Sequence, residues 1–130
     1  MENDYEKLDR EAQLGAFSTL DMQVFVPEVQ KLVAGDVYME IGTDKGKSLS
    51  IAKMTVGKNV SLNACELSFT DELKEYLRDK PEINFMWMSS ESAAKVWAER
   101  GGLKIHLLFI DGDHSYEGCK RDLDNWLDFM

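Results

Sequence analysis

The chain has 130 residues, of which 44% are hydrophobic and 30% charged, and its formal net charge is −9. That length holds one domain around one modest core, and the composition fits a folded soluble protein rather than a disordered chain. No apolar run approaches the roughly eighteen residues of a membrane span, the acidic start Met1 to Glu6 lacks the apolar stretch of a signal peptide, and so acidic a surface repels phosphate backbones. No membrane and no nucleic acid is expected as a partner.

The two cysteines, Cys65 and Cys119, are far apart and form no CxxC. Their spacing argues against a disulfide framework or a zinc site and for reduced, mostly buried thiols in a cytoplasmic protein.

In chain order, residues 1–34 read as an N-terminal helical segment. Pro27 suits the first turn of a helix there, with Val29, Leu32 and Val33 facing inward. Val37–Ile41 then begins an alternation of apolar runs with helical segments. The later runs are Val60–Cys65, Ile83–Met88 and Ile105–Ile110, the last almost continuously apolar, as in a strand buried on both faces of a parallel sheet. Helices are expected over Ser48–Thr55, over Thr70–Asp79 with Leu73, Tyr76 and Leu77 inward, and over Ser92–Arg100 with Ala93, Val96 and Trp97 inward. Ser115 can cap a last helix with the apolar stripe Tyr116, Cys119, Leu123, Trp126, Leu127 and Met130. Trp87, Trp97 and Trp126 read as core. The whole predicts one α/β domain over 1–130, a three-layer sandwich whose parallel strands are ordered 3-2-1-4.

Ligands of such sheets bind at the carboxyl ends of the strands, so the strand ends carry the functional reading. The first runs into Glu40-Ile41-Gly42-Thr43-Asp44-Lys45-Gly46-Lys47-Ser48. Its two glycines let backbone approach a ligand, and the following helix start can hold an anion; the alternative is a tight turn without a ligand. The second strand ends at Glu66, whose carboxylate can accept from both hydroxyls of a ribose, or simply be solvated. The third ends at Ser89-Ser90-Glu91-Ser92, where Ser90 or Ser92 can cap a helix and the polar groups can reach an adenine edge. The fourth ends at Asp111-Gly112-Asp113-His114-Ser115-Tyr116. Its carboxylates can hold a divalent cation and its imidazole can take a proton near neutral pH; capping by Asp113 or Ser115 is the other reading. His106, inside the fourth run, reads as a satisfied structural histidine.

Glu40-x-Gly42-x-x-x-Gly46 resembles the first motif of class I S-adenosylmethionine-dependent methyltransferases. With Phe109-Ile110-Asp111-Gly112-Asp113-His114-Ser115-Tyr116-Glu117-x-x-Lys120-x-Asp122-Leu123 it is similar to the branch that holds cephalosporin-hydroxylase-like proteins and macrolide-sugar O-methyltransferases. The resemblance spans roughly residues 20 to 130. It implies a Rossmann-like fold and O-methylation of a small-molecule or sugar acceptor. It places Gly42 and Gly46 along the methionine part of the cofactor, with Thr43 and Ser48 near its carboxylate, and makes Glu40 a cofactor-binding residue. Glu66 would bind the ribose, Ser90 and Glu91 would approach the adenine, and Asp111 would sit next to the methyl donor. Asp111-x-x-His114 matches a spacing in which the Asp binds Mg2+ and the His deprotonates the acceptor. The family sheet has three further strands, so the chain reads as the N-terminal, cofactor-binding half of a truncated domain, its fourth-strand edge covered by a homodimer partner or another chain.

Two rival readings stand beside this one. Gly42-x-x-x-Gly46-Lys47-Ser48 is nearly the P-loop of an NTPase but has three residues between its glycines where four are needed. A non-catalytic cofactor-binding or assembly module is the other.

Overall fold

Four short runs of mostly apolar residues pair side by side in one parallel sheet. A computed structural model of the chain describes residues 2–13, 15, 17–111 and 115–130. The strands are β1 (Val37–Ile41), β2 (Ser61–Cys65), β3 (Asn84–Met86) and β4 (Leu107–Ile110), in the spatial order β3-β2-β1-β4. All three pairings are parallel; Glu40, for example, stands opposite Ala64 on one side and Phe109 on the other.

Among the described residues, six helices flank the sheet: α1 (Asp4–Glu11), α2 (Thr19–Gln30), α3 (Lys47–Thr55), α4 (Asp71–Leu77), α5 (Ser90–Glu99) and α6 (Tyr116–Trp126), the last followed by a 3-10 turn at Leu127–Phe129. Residues of α1 to α4 pack on the sheet face that carries Tyr38, Leu62, Ala64 and Phe109. Residues of α5 and α6 pack on the face of Met39, Ile41, Cys65 and Ile110. The split follows from topology: the chain steps outward from β1 to β3, then returns past β1 to β4, and a constant crossover hand puts the returning helix on the opposite face. The reversal point lies between β1 and β4, where the sequence places its glycine turn and its Asp111 strand end.

The sheet order and the span of β1 agree with the sequence reading. Other elements differ from it, each for a physical reason. The helix before β1 starts at Thr19, because Ser18 and Asp21 form a reciprocal capping box. Pro27 therefore sits inside α2 rather than in its first turn, where it removes the N–H that would bond the carbonyl of residue 23. Val33, past the end of α2, is exposed rather than inward. Ser89, not Ser90 or Ser92, caps α5, its hydroxyl accepting from Ser92 N–H at 3.2 Å. Ser115 caps α6, accepting from Gly118 N–H at 3.0 Å; Asp113 lies outside the described residues.

The apolar stripe read on α6 faces outward except for Trp126, with Tyr116 and Leu127 80% and 53% exposed and Cys119 exposed as well. The inward stripe is instead Gly118, Asp122 and Trp126, at four-residue intervals. Cys65 alone of the two thiols is buried, and both are unpaired. Trp97 and Trp126 are core, whereas Trp87 is half-buried and stacks edge-on against Phe69 with ring centroids 4.3 Å apart. Among the described residues, no helix is long and apolar enough to cross a membrane.

Candidate functional site

A cleft of about 610 Å³ opens at the carboxyl ends of the strands. Its floor is the β1–α3 turn. Gly42 and Gly46 have φ of +83° and +99°, the left-handed region that side chains disfavour. Gly46 is the N-cap of α3, and no side chain caps that helix start, so the N–H groups of its first turn face an anion-accepting position.

Glu40, the last polar residue before that turn, is fully buried. Tyr38, two residues earlier on the same face of β1, donates its hydroxyl to Glu40 Oε1 at 2.5 Å. Burial pushes the Glu40 carboxyl up to about 7, against the hydrogen bond from Tyr38 and the nearness of Ser48 and Thr43, and the Asp111 charge adds to the rise. Neither Ser48 nor Thr43 makes a well-directed hydrogen bond to the second oxygen: Glu40 Oε2 and Thr43 Oγ1 are both buried without a partner among the described residues. Orphaned polar atoms of this kind are costly and mark a place where a ligand group can complete the pairing.

Glu66 closes the next side. Its Oε1 accepts from Asp44 N–H at 2.6 Å and its Oε2 from Ser68 N–H at 2.8 Å. The carboxylate therefore ties the β1 turn to the β2 turn, and each oxygen keeps a lone pair for a further donor. Asp44 itself holds φ +53°, a conformation that this bond helps to maintain.

Of the residues read from the sequence, Gly42, Thr43, Ser48, Glu66, Ser90 and Asp111 line the cleft. Glu40 lies beneath it and Gly46 behind the turn. Glu91 is not in the lining; its side chain is 65% exposed and lies 3.5 Å from Lys95. Asp111 N–H bonds Ile41 carbonyl at 2.7 Å, which holds its residue beside the glycine turn. His114 lies outside the described residues. His106 sits at the opposite end of the sheet, where its Nδ1 accepts from Val37 N–H at 3.0 Å. Among the described residues, no group of three or more His, Cys, Asp or Glu could hold a metal ion.

The sequence reading gave several other lining residues no role. The segment after α1 crosses the start of α3: Lys47 pairs with Asp9, Gln13 N–H donates to Ser50 Oγ, and Gly15 and Phe17 reach the cleft wall. Phe17 also forms part of a second, apolar groove of about 730 Å³ between α2 and β4. Asp122 enters from α6; the four-residue spacing of Gly118, Asp122 and Trp126 was the available clue.

A parallel sheet with a glycine turn and a backbone-braced carboxylate around one terminal cleft is the arrangement of α/β proteins that bind nucleotide-like cofactors. Residues 39–130 match the family model described as a methyltransferase domain, and the chain belongs to that family. No curated protein sequence matches it. Among solved structures it is similar to TrmN from Thermus thermophilus, with a TM-score of 0.63 and 14% identity over 97% of this chain and 38% of that one. PRMT6 follows at a TM-score of 0.60 and 15% identity, covering 86% of this chain and 39% of that one. Aeropyrum pernix fibrillarin, in complex with natively bound S-adenosyl-L-methionine, has a TM-score of 0.50 and 12% identity over 82% of this chain and 64% of that one. The chain thus spans less than two thirds of each of these structures, and at such identities the likeness is one of fold.

Proposed function

We propose that the chain is the cofactor-binding part of a cytoplasmic S-adenosylmethionine-dependent methyltransferase acting on a hydroxyl of a small molecule or sugar. The observation that carries this reading is the pair of orphaned atoms, Glu40 Oε2 and Thr43 Oγ1, under a glycine turn that faces the open start of α3. Acceptors without partners and an uncapped helix start suit a zwitterionic amino-acid group, whose ammonium and carboxylate satisfy opposite needs. The remaining lone pairs of Glu66 suit the ribose hydroxyls. Of Ser90 and Glu91, Ser90 lies nearer the base.

When bound, the cofactor supplies an electrophilic methyl group on a sulfonium. The chain binds and orients it: Gly42 and Gly46 allow close backbone approach, Thr43 and Ser48 lie by its carboxylate, and Asp111 stands at the reacting end. His114 is the general base that takes the acceptor hydroxyl proton, and Asp111 is a cofactor neighbour or Mg2+ ligand. The charge of −9 favours a small acceptor over a nucleic acid, and two unpaired cysteines fit a reducing compartment.

Calorimetry tests the reading. The chain should bind S-adenosylmethionine and its demethylated product; ATP with Mg2+ binding in their place would establish the nucleotide-hydrolase alternative. Binding without turnover on any of a panel of hydroxylated acceptors would favour the non-catalytic module. In the turning-over enzyme, His114→Ala should lower the rate about 10²–10⁴-fold with cofactor affinity nearly intact; an unchanged rate removes His114 from the mechanism.

The same reading includes a partner, a second copy of the chain, over the β4 edge. All four residues of β4 are apolar yet only half-buried. Leu20 and Val24 of α2, beside the apolar groove, are 71% and 75% exposed. Each large apolar side chain left in water forgoes about 1.5–3 kcal/mol, and pairing about a two-fold axis is the simplest closed arrangement. Light scattering should give a dimer; a monomer at high concentration would refute it.

A further inference from the structure

We infer that Glu40 couples cofactor binding to a proton: the ammonium of the bound amino-acid group expels one proton from the buried Glu40–Tyr38 pair, so pH tunes the affinity of the cleft. The inference rests on the cofactor reading above.

The coupling begins with what surrounds Glu40. On β1 it stands between Ala64 of β2 and Phe109 of β4, and none of its surface meets solvent. Tyr38 donates to Oε1, and Oε2 has no partner among the described residues. A buried carboxylate with one donor and no water is costly, and the neutral acid costs far less. The Tyr38 hydroxyl occupies Oε1, so the proton of the free chain sits on Oε2.

The other titratable and charged groups around the pair leave that proton in place. Burial pushes Tyr76 on α4 up, and the Cys65 thiol on β2 up to about 12; both sense Glu40, and both are neutral. Asp111, at the end of β4, opposes the ionisation of Glu40. Thr43 and Ser48 favour the ionised form, by less than burial disfavours it. Lys47, on the first turn of α3, is engaged by Asp9, and Glu66 is braced by the N–H groups of Asp44 and Ser68. The free chain therefore holds Glu40 as a neutral acid up to about pH 7.

A bound amino-acid group changes that balance. Thr43 and Ser48 line the cleft directly above Glu40, and an ammonium seated there brings the positive charge that the pair lacks. An opposite charge within about 4–6 Å strongly favours the ionised carboxylate. The Oε2 proton then leaves to solvent, and the ammonium keeps its own three. No covalent bond to the ligand forms or breaks. The free chain carries the extra proton, so binding strengthens as pH rises toward about 7 and levels off above it.

The test compares S-adenosylhomocysteine with its deamino analogue, in which hydrogen replaces the ammonium, on the whole chain. Titration calorimetry at about pH 6, in buffers of different ionisation enthalpy, counts the protons exchanged. S-adenosylhomocysteine should release most of one proton, and the analogue none. From about pH 5.5 to 7 the affinity for S-adenosylhomocysteine should rise about fivefold, while that for the analogue stays flat. Glu40→Gln resembles the neutral acid, so at pH 6 its thermal unfolding midpoint should stay near native while the proton release disappears. Tyr38→Phe should carry the rise in affinity to higher pH. Binding of S-adenosylhomocysteine without proton release, equal release with both ligands, or release that persists in Glu40→Gln overturns the inference. An unmoved pH profile in Tyr38→Phe does so as well. A native chain that binds neither ligand overturns the cofactor reading itself, and with it this one.

Discussion

Tyr38 donates its hydroxyl to Glu40 Oε1 at 2.5 Å, and both side chains are completely buried beneath the glycine turn. A carboxyl group so placed is expensive to ionise. Its acidity lies at about 7, raised from the ordinary value of 4.5. Between those two values the folded chain holds a proton that the unfolded chain releases. Stability from this group is therefore fully present below about pH 4.5 and is lost as pH rises through about 7, by up to about 3 kcal/mol. Urea unfolding at pH 5, 6, 7 and 8 should show the decline, and Glu40→Gln should flatten it. Tyr38→Phe removes the bond that favours the ionised form, so the Glu40 carboxyl is pushed up further, and the decline should continue to higher pH and reach a larger total loss.

Glu66 is braced by two backbone N–H groups before any ligand arrives. Glu66→Ala should weaken S-adenosylmethionine binding by about 1–3 kcal/mol, because the ribose hydroxyls lose acceptors and the Asp44 turn loses its tie. Glu66→Gln keeps one acceptor and should fall between. Calorimetry that finds equal affinity in native chain and Ala variant would exclude the ribose role.

Gly46 adopts φ +99°, and an added Cβ would stand 3.1 Å from Leu73 Cδ1. Gly46→Ala should therefore cost about 1–2 kcal/mol in the unfolding free energy from backbone strain, with a further loss in cofactor affinity as the α3 start shifts. A variant as stable as the native chain would show that the turn relaxes freely.

Asn63 is a buried amide in the middle of the sheet. Its Nδ2 donates to Tyr38 carbonyl at 3.1 Å, and its Oδ1 accepts from Asn84 at 2.9 Å, bridging strands β1, β2 and β3. Asn63→Ala should destabilise the chain by about 1–3 kcal/mol by stranding Asn84, read as a lower urea midpoint. Restoring native stability by adding Asn84→Ala would confirm that the stranded partner carries the loss.

The strand order was legible because β-α alternation and crossover handedness leave few arrangements, and β1 was legible because Val37–Ile41 is bounded by turns on both sides. Helix faces were less so. On α6 the eye follows Tyr116, Leu123 and Leu127, yet those residues point outward and the inward side carries Gly118 and Asp122. Hydrophobic spacing identifies an apolar face but not whether this chain buries it. The helix α1 carries Tyr5 and Leu8 at helical spacing, but they are only partly buried against the core, so the short stripe was easy to miss. In the site, the glycine turn and Glu66 stand on local motifs. Phe17 reaches the cleft only through tertiary packing, which no local spacing encodes, whereas Asp122 had its four-residue spacing from Gly118 and Trp126 as a clue.

Phe17 stands between the cofactor cleft and the apolar groove beside β4, and its ring meets Phe25 and Phe109 edge-on at 5.2 Å and 5.9 Å. One ring thus serves as a party wall. Whatever settles in the groove and restricts that ring also sets the shape of the cleft, and a ligand in the cleft acts on the groove by the same free energy. Occupants of the two cavities on either side of Phe17 are therefore thermodynamically linked: tighter association at the β4 edge and tighter cofactor binding rise or fall together to the extent that both select one position of that ring.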